Sequence, residues 1–362
     1  MNERMSEALS HVNDEEHFGA LRLVEGVFPY PPEGLVVAAE CLGRAFETVV
    51  GGQPLTIVLP LPPDQLVIGR AGQSLTAPNF HYQYPPDRDS RPSDWGRSTF
   101  TSGGKLMSAR LDRLAYRFEA SGSDQELAAV CQRLGQELEK WWDLAAMWLD
   151  IFTELDLLRL GLHKPRGLGS KFLAYTSRNN GEAQPLSWKT TTIEAFPKPF
   201  IVPDVEVLER CFELAGAGAQ LPGEWQYIRR ARSWLQAGQR RQATIDACTA
   251  AEIALANQVR RLLDGTAAQV VQELLDRCNG IVDIVKLVRA IGGKEATTSV
   301  NSVDQRLAKV RNRAAHAGYE PQHEEAAKAV DVAVEIVEHA LPLGSLYNTA
   351  RASNGTAESP TE

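Results

Sequence analysis

The segment Val303–Gly318, VDQRLAKVRNRAAHAG, decides how the C-terminal part of the chain is expected to fold. On a helix of about 3.6 residues per turn, its apolar residues fall on one tight stripe. This stripe consists of Val303, Leu307, Val310 and Ala314. Gly318 stands where the helix should end, because glycine adopts the left-handed conformation of a helix C-terminus without strain. We therefore predict a helix with one face buried against neighbouring helices.

The residues on both sides of this segment continue the helical pattern. Apolar residues recur at helical spacing, and glycine or proline stands at several of the helix ends. The predicted helices are Glu224–Ala237, Arg241–Leu263, Ala267–Ile291, Val303–Ala317 and Gln322–Leu341. Residues 223–342 are thus predicted to form an all-α helical bundle. A small-residue linker at 216–222 precedes it, and a polar, disordered tail at 343–362 follows it.

Residues 1–215 have a different pattern, which predicts an α+β domain of unknown role. Short β-prone runs are separated by prolines and glycines, and residues 85–104 are predicted to be a polar loop. The strand-like runs are Leu55–Leu59, Leu66–Ile68, Phe80–Tyr84, Tyr116–Glu119, Phe172–Tyr175 and Phe200–Val202. The predicted fold class is therefore an α+β N-terminal region followed by an all-α bundle.

A long helix is predicted within this N-terminal region. Ser123 and Glu126 have the spacing of a capping box, which marks a helix N-terminus. Large aromatic residues, Trp141 and Trp148 among them, then recur at helical spacing. We interpret this aromatic stripe as a packing spine, because large aromatic side chains mostly serve burial, with a ligand groove as the alternative.

Several classes of protein do not fit this sequence. No apolar run is long enough to span a bilayer, and Met1–Ser10 lacks the apolar core of a signal peptide. The five cysteines are far apart, and no cysteine or histidine cluster has the spacing of a zinc site. We therefore expect a cytoplasmic protein with reduced cysteines, no membrane association, no metal and no cofactor.

The charge of the chain is divided unevenly. The 38 Lys and Arg residues against 46 Asp and Glu residues give a net charge of -8. From Pro222 to the end there are 17 of each kind, so the excess of acid lies wholly in the first 221 residues. A polyanion would therefore meet the C-terminal part more easily. The acidic region could also screen the basic helix until a regulatory partner moves it, which we state as a hypothesis.

The residues Arg311-Asn312-Arg313-Ala314-Ala315-His316-Ala317-Gly318 resemble the R-x4-6-H motif of HEPN domains, including the polar residue that follows the arginine. The predicted five-helix layout agrees with that family, as do Glu320-Pro321 and the long final helix. The resemblance covers residues 222–341, about a third of the chain. No family is identified for the first 221 residues.

The resemblance implies a function and a set of site residues. Many HEPN domains are metal-independent endoribonucleases of toxin, abortive-infection and other defence systems, and they commonly act as homodimers in which two motifs face one cleft. Carried over, Arg311 and His316 would be catalytic, and Asn312 would support them. Other HEPN domains are non-catalytic RNA-binding or protein-interaction modules, which is the alternative function here.

The chemistry of these residue types suits RNA cleavage. Histidine can exchange a proton near neutral pH, and arginine offers a fixed fork of donors to phosphate oxygens. The basic residues Arg306, Lys309 and Arg313 follow one side of the apolar stripe and are predicted to bind RNA. The structural alternative to catalysis is that Arg311 only pairs with an acid and that His316 only caps the helix.

On one helix, Arg311 and His316 are separated by about 140° around the axis. A single straight helix therefore does not direct both side chains to one point. The two side chains could converge only if the helix end distorts near Gly318 or if a second copy of the helix supplies the missing partner. Pairing of two copies of the bundle would provide that partner.

Glu252 is a further candidate, because it falls on the apolar line of the predicted second helix. A carboxylate in that place needs a partner, and Glu252 is predicted to support the site by orienting Arg311. The alternative is that Glu252 lies at the edge of the stripe and reaches solvent. A basic cluster precedes it in the chain and either follows an RNA backbone or is a solvated face. The cluster consists of Arg229, Arg230, Arg232, Arg240 and Arg241.

Overall fold

The computed structural model describes residues 21–29, 35–64, 72–80, 95–101, 103–157, 174–177, 183–186, 201–292 and 299–346. These residues form two compact units. The first contains the described residues up to 157 together with 201–229 and 337–346, and the second contains those of 174–186, 230–292 and 299–336. The domain boundaries at 215 and 223 and the linker at 216–222 stay predictions. Of the predicted tail, only residues 343–346 are described, and they form a helical turn.

The strands of the first unit form two antiparallel sheets. In chain order they are β1 (Arg22–Pro29), β2 (Leu35–Ala38), β3 (Ala45–Val50), β4 (Gln53–Val58), β5 (Gly96–Phe100), β6 (Leu106–Leu111) and β7 (Arg113–Ala120). One sheet has the order β1-β7-β4-β3 and the other has the order β2-β6-β5. In β3 the residues are alternately exposed and buried, as expected for a strand with one face against a core.

The predicted strands at Leu55–Leu59 and Tyr116–Glu119 are confirmed by β4 and β7. The predicted loop at 85–104 is wrong in its later part, because β5 lies there and pairs with β6. Residues 201–202 form no strand, so that part of the prediction for Phe200–Val202 is also wrong. Leu66–Ile68 and most of Phe80–Tyr84 lie outside the described residues.

The described part of the first unit also contains a short 3-10 helix (Ala39–Cys41) and two longer helices. Helix α1 (Asp124–Thr153) begins at the predicted capping box, in which the Ser123 hydroxyl accepts from the Glu126 N–H and the Glu126 carboxylate accepts from the Ser123 N–H. Trp141 and Trp148 are at most 3% exposed, which confirms the packing spine. Helix α2 (Val205–Gly216) packs against both α1 and β3.

The second unit is mostly helical. Its helices are α3 (Gly223–Gln236), α4 (Arg240–Leu262), α5 (Ala268–Asp276), α6 (Ile281–Ala290), α7 (Val300–Ser302), α8 (Lys309–His316) and α9 (His323–Ala340), and a π-helical segment, Val303–Ala308, joins α7 to α8. Residues 223–229 of α3 and 337–340 of α9 are assigned to the first unit. This unit also contains the strand pair β8 (Ala174–Ser177) and β9 (Ala183–Leu186). Strand β8 overlaps the run predicted at Phe172–Tyr175.

The helix predictions are confirmed to within one residue for α3, α4 and α9. The single helix predicted over Ala267–Ile291 is wrong, because it is divided into α5 and α6. The division occurs at Gly280, whose φ of 95° lies outside the helical region. Antiparallel sheets in the N-terminal region and helices in the C-terminal part thus confirm the α+β class with a helical C-terminus.

The segment Val303–Gly318 contains the π-helical segment Val303–Ala308 and α8, which continue the helix from α7 and end at His316. All four residues of the predicted stripe are at most 4% exposed. They face a core to which α4 and α6 contribute. Among the described helices, none combines the length and the apolar character that crossing a membrane requires. All five cysteines are free, and Cys41, Cys211 and Cys248 are buried.

Candidate functional site

The predicted motif lies on α8, which runs antiparallel to α4. At the start of α4, Nη2 of Arg241 donates to the carbonyl oxygen of Ala315, at 3.5 Å. Seven residues further along α4, Cys248 lies close enough to Arg311 for their electrostatic interaction to matter. The two ends of the motif therefore meet different turns of α4.

Arg311 belongs to α8 and is half-buried. Its Nη1 donates to Oδ1 of Asn312 at 3.1 Å, and Asn312 is itself exposed. The structure therefore places Asn312 against Arg311, as the prediction requires of a supporting residue. An amide oxygen at this distance orients the guanidinium and leaves its remaining N–H donors for another ligand.

Glu252 is half-buried on α4 and accepts a hydrogen bond from the thiol of Cys248, with Sγ and Oε1 3.7 Å apart. Burial raises the pKa of Cys248, the negative charge of Glu252 raises it further, and the positive charge of Arg311 acts in the opposite direction. Among the described residues no ion pair joins Glu252 to Arg311. The role of Glu252 in orienting Arg311 stays a prediction.

His316 is the last residue of α8, and its side chain is exposed. Within the part of the chain that the structure describes, no hydrogen bond or ion pair holds its imidazole. Since α8 is a regular α-helix from Lys309 to His316, the predicted angle of about 140° between Arg311 and His316 applies. On such a helix the two side chains leave the backbone in directions about 140° apart.

Two of the three residues predicted to bind RNA are paired with carboxylates. Lys309 Nζ lies 3.0 Å from Oδ2 of Asp304, and Arg313 Nη2 lies 2.9 Å from Oε1 of Glu325. Arg306 is exposed and forms no ion pair with the described residues. Of the three residues predicted to bind RNA, Arg306 is thus the one whose charge no described carboxylate pairs with.

Arg313, Tyr319 and Glu325 form a polar cluster at the turn between α8 and α9, which the sequence analysis missed. The guanidinium of Arg313 lies over the Tyr319 ring, 4.3 Å from its centroid. The Tyr319 hydroxyl donates to Glu325 at 2.5 Å, and the Gln322 N–H donates to the same oxygen at 2.9 Å. The spacing of Gln322 and Glu325 fits one half of a capping box, in which the carboxylate accepts from the N-terminal N–H, but it does not indicate Arg313 or Tyr319.

These contacts lower the pKa of Glu325 to about 2. The Tyr319 hydroxyl has the largest effect, followed by the Gln322 N–H, and Arg313 adds to both. All three stabilise the charged carboxylate, because each donates a hydrogen bond to it. The cluster therefore fixes the chain directly after His316.

The predicted basic cluster is not a single free surface. Arg229 lies 3.7 Å from Asp150 in the first unit, and in the second unit Arg230 lies 3.1 Å from Asp246. Arg240 lies 3.4 Å from Glu320, so it too faces a carboxylate. Arg241 is exposed, and no carboxylate of the described residues pairs with it.

No family model, no curated protein and no solved structure matched the chain. The resemblance to HEPN domains therefore continues to depend on the motif and on the arrangement of helices around it. Within the described residues, no three His, Cys, Asp or Glu side chains are grouped so that they could hold a metal ion.

Proposed function

We propose that the helical C-terminal part is a metal-independent endoribonuclease of the HEPN type, which acts as a homodimer in a toxin or defence system. The observation that carries the proposal is the exposed imidazole of His316 on the last turn of α8, five residues after a half-buried arginine on the same helix. Asn312 supports that arginine through a 3.1 Å hydrogen bond.

In the proposed reaction the RNA 2′-oxygen attacks the adjacent phosphorus, and the bond from phosphorus to the 5′-oxygen breaks. His316 accepts the 2′-hydroxyl proton and then donates it to the leaving 5′-oxygen, so the histidine ends in its starting protonation state. Arg311 donates to the phosphate oxygens, on which negative charge increases in the transition state. The products carry a 2′,3′-cyclic phosphate and a 5′-hydroxyl group.

The angle between the two side chains favours a site shared by two copies of the chain. Arg311 and His316 of one α8 are directed about 140° apart, so they do not reach one phosphate together. In a homodimer, Arg311 of one copy can face His316 of the other. Two equivalent sites would then form across the symmetry axis.

The second candidate function is a non-catalytic HEPN-like module that binds RNA or a protein. The pairing of Lys309 with Asp304 and of Arg313 with Glu325 favours it, because these pairs neutralise two cations that a nuclease would use to hold its substrate. In that case Arg311 and His316 serve the packing and the end of α8.

The proposal is tested by incubating the purified full chain with single-stranded RNA in EDTA. We expect cleavage to products with 2′,3′-cyclic phosphate ends. Arg311→Ala should lower the rate at least about 100-fold, and Arg311→Lys should restore only part of it, because lysine lacks the planar fork. Arg277→Ala is the matched control, since Arg277 is an exposed arginine with no partner among the described residues. Equal rates for the native chain and Arg311→Ala would refute the proposal.

A further inference from the structure

We infer that Arg241 is the residue that holds an RNA phosphate beside His316 of the same chain. This inference rests on the proposed function and deepens it, because it assigns the substrate-binding cation at the histidine end of the motif. Arg241 belongs to α4 and was identified by the sequence only as one member of a basic cluster.

The position of Arg241 follows from a single contact. Its Nη2 lies 3.5 Å from the carbonyl oxygen of Ala315, the residue directly before His316. The guanidinium therefore lies at the end of α8 that presents the imidazole. Arg311 lies four residues before Ala315 on α8, and its charge acts on Cys248, seven residues further along α4 than Arg241. Within one chain, Arg241 is thus an arginine of another helix whose guanidinium lies beside the residue that precedes His316.

The contact with Ala315 does not use most of the N–H donors of the Arg241 guanidinium. An arginine carries five N–H donors, and the contact with Ala315 uses one of them at the long limit of a hydrogen bond. The side chain is exposed, so a phosphate can approach it without opening the bundle. A planar fork with free N–H groups binds two phosphate oxygens at once.

The charge of Arg241 is not neutralised by a neighbour. Around it, Arg240 faces Glu320 at 3.4 Å, and Arg313 faces Glu325 at 2.9 Å. No carboxylate of the described residues pairs with Arg241, and the first turn of α4 carries no acidic residue that would repel a phosphate. The positive charge therefore remains available to a polyanion.

The competing explanation is structural, since an arginine near a helix C-terminus can simply cap the last carbonyl groups. Arg241→Gln removes the charge, and its shorter side chain also gives up the contact with Ala315, so the two roles are separated by what is measured. Arg241→Lys retains the charge without the fork. A capping role would change the thermal midpoint, whereas a phosphate contact changes the salt dependence of RNA binding.

The experiment measures binding of labelled single-stranded RNA to the full chain at several salt concentrations, in the His316→Ala background to prevent cleavage. We expect Arg241→Gln to weaken binding several-fold and to reduce the slope of log Kd against log salt by about 0.7, the value of one phosphate contact on a single strand. Arg241→Lys should retain most of the slope. Arg277→Ala, a control for net charge, should leave both values unchanged.

Unchanged affinity and slope in Arg241→Gln would overturn the inference while leaving the proposed function standing. The same holds if only the thermal midpoint falls. If the His316→Ala parent binds no RNA and the native chain does not cleave it, the proposed function fails as well. The two failures are therefore distinguishable.

Discussion

Thr48 joins three elements of the first unit through one hydroxyl group. The hydroxyl donates to the Phe212 carbonyl oxygen of α2 at 2.8 Å and accepts from Nε1 of Trp141 on α1 at 3.1 Å. Thr48 itself lies on β3 and is buried. Because these groups are shielded from water, their hydrogen bonds have no substitute when one partner is removed.

We expect Thr48→Val to lower the free energy of unfolding by about 3 kcal/mol, because two buried polar groups lose their partner while the shape of the side chain is kept. Urea unfolding followed by tryptophan fluorescence measures this. Thr99→Val, at an exposed position of β5, should change stability by less than about 0.5 kcal/mol. Equal effects of the two changes would contradict the role of Thr48.

Glu325 predicts a pH dependence. Its pKa is lowered from 4.5 to about 2 by the Tyr319 hydroxyl and the Gln322 N–H, with a contribution from Arg313. Since the pKa in the folded chain is below that of the unfolded chain, the charged carboxylate stabilises the fold fully above about pH 5. This contribution is lost progressively as the pH falls towards 2.

Glu325→Gln should therefore lower the urea midpoint at pH 7, and its difference from the native chain should shrink at pH 3. Glu324→Gln is the matched control, because Glu324 is an exposed neighbour with one weak contact to Lys328 at 3.8 Å. A difference between native and Glu325→Gln proteins that stays constant from pH 7 to pH 3 would argue against the cluster.

Among the elements, α2 and β3 approach so closely that one position requires glycine. A Cβ added at Gly216, the last residue of α2, would lie 2.6 Å from Thr48 Oγ1 and 2.9 Å from the Val49 backbone nitrogen. Neither neighbour is the far end of a flexible side chain. The backbone of α2 or β3 would have to move.

Gly216→Ala should lower the free energy of unfolding by about 1–3 kcal/mol, the usual range for an added carbon in a filled space. Gly135→Ala in the middle of α1 is the matched control, because an added Cβ there meets nothing within 4 Å. That change should raise stability by about 0.5–1 kcal/mol, since alanine favours a helix more than glycine does. A Gly216→Ala protein as stable as Gly135→Ala would contradict the close approach.

The elements also show how much the sequence could predict. Apolar spacing located α3, α4 and α9 to within one residue, and the capping box at Ser123 located the start of α1, because these signals are local. The break at Gly280 escaped prediction, since an apolar pattern reports burial and not the φ angle of one residue. Strand β5 was not predicted, because the residues that form it do not by themselves indicate its pairing with β6.

The candidate site was predicted only in part, because sequence patterns indicate local features and not contacts between residues far apart in the chain. The stripe on α8 and the pairing of Arg311 with Asn312 are local features of one helix. The contact of Arg241 with Ala315 joins residues 74 positions apart, and no spacing rule indicates it. The π-helical segment Val303–Ala308 was also not predicted, because a helical wheel assumes the same rotation at every residue.

At the scale of the whole molecule, the central question is whether two copies of the chain share one site. Mixing Arg311→Ala with His316→Ala tests this, because only a mixed dimer combines Arg311 from one copy with His316 from the other. An equal mixture should recover about a quarter of the native activity, since half of the dimers are mixed and each has one complete site of two. No recovery after subunit exchange would contradict a shared site.

Substitution of His316 tests the proposed nuclease activity most directly. The measurement is the rate of single-stranded RNA cleavage in EDTA by the native chain, by His316→Ala and by His323→Ala, which removes another exposed histidine of the second unit. We expect cleavage by the native chain and by His323→Ala, and a loss of at least about 100-fold in His316→Ala. Cleavage by His316→Ala at the native rate, or no cleavage by the native chain, would contradict the proposed activity.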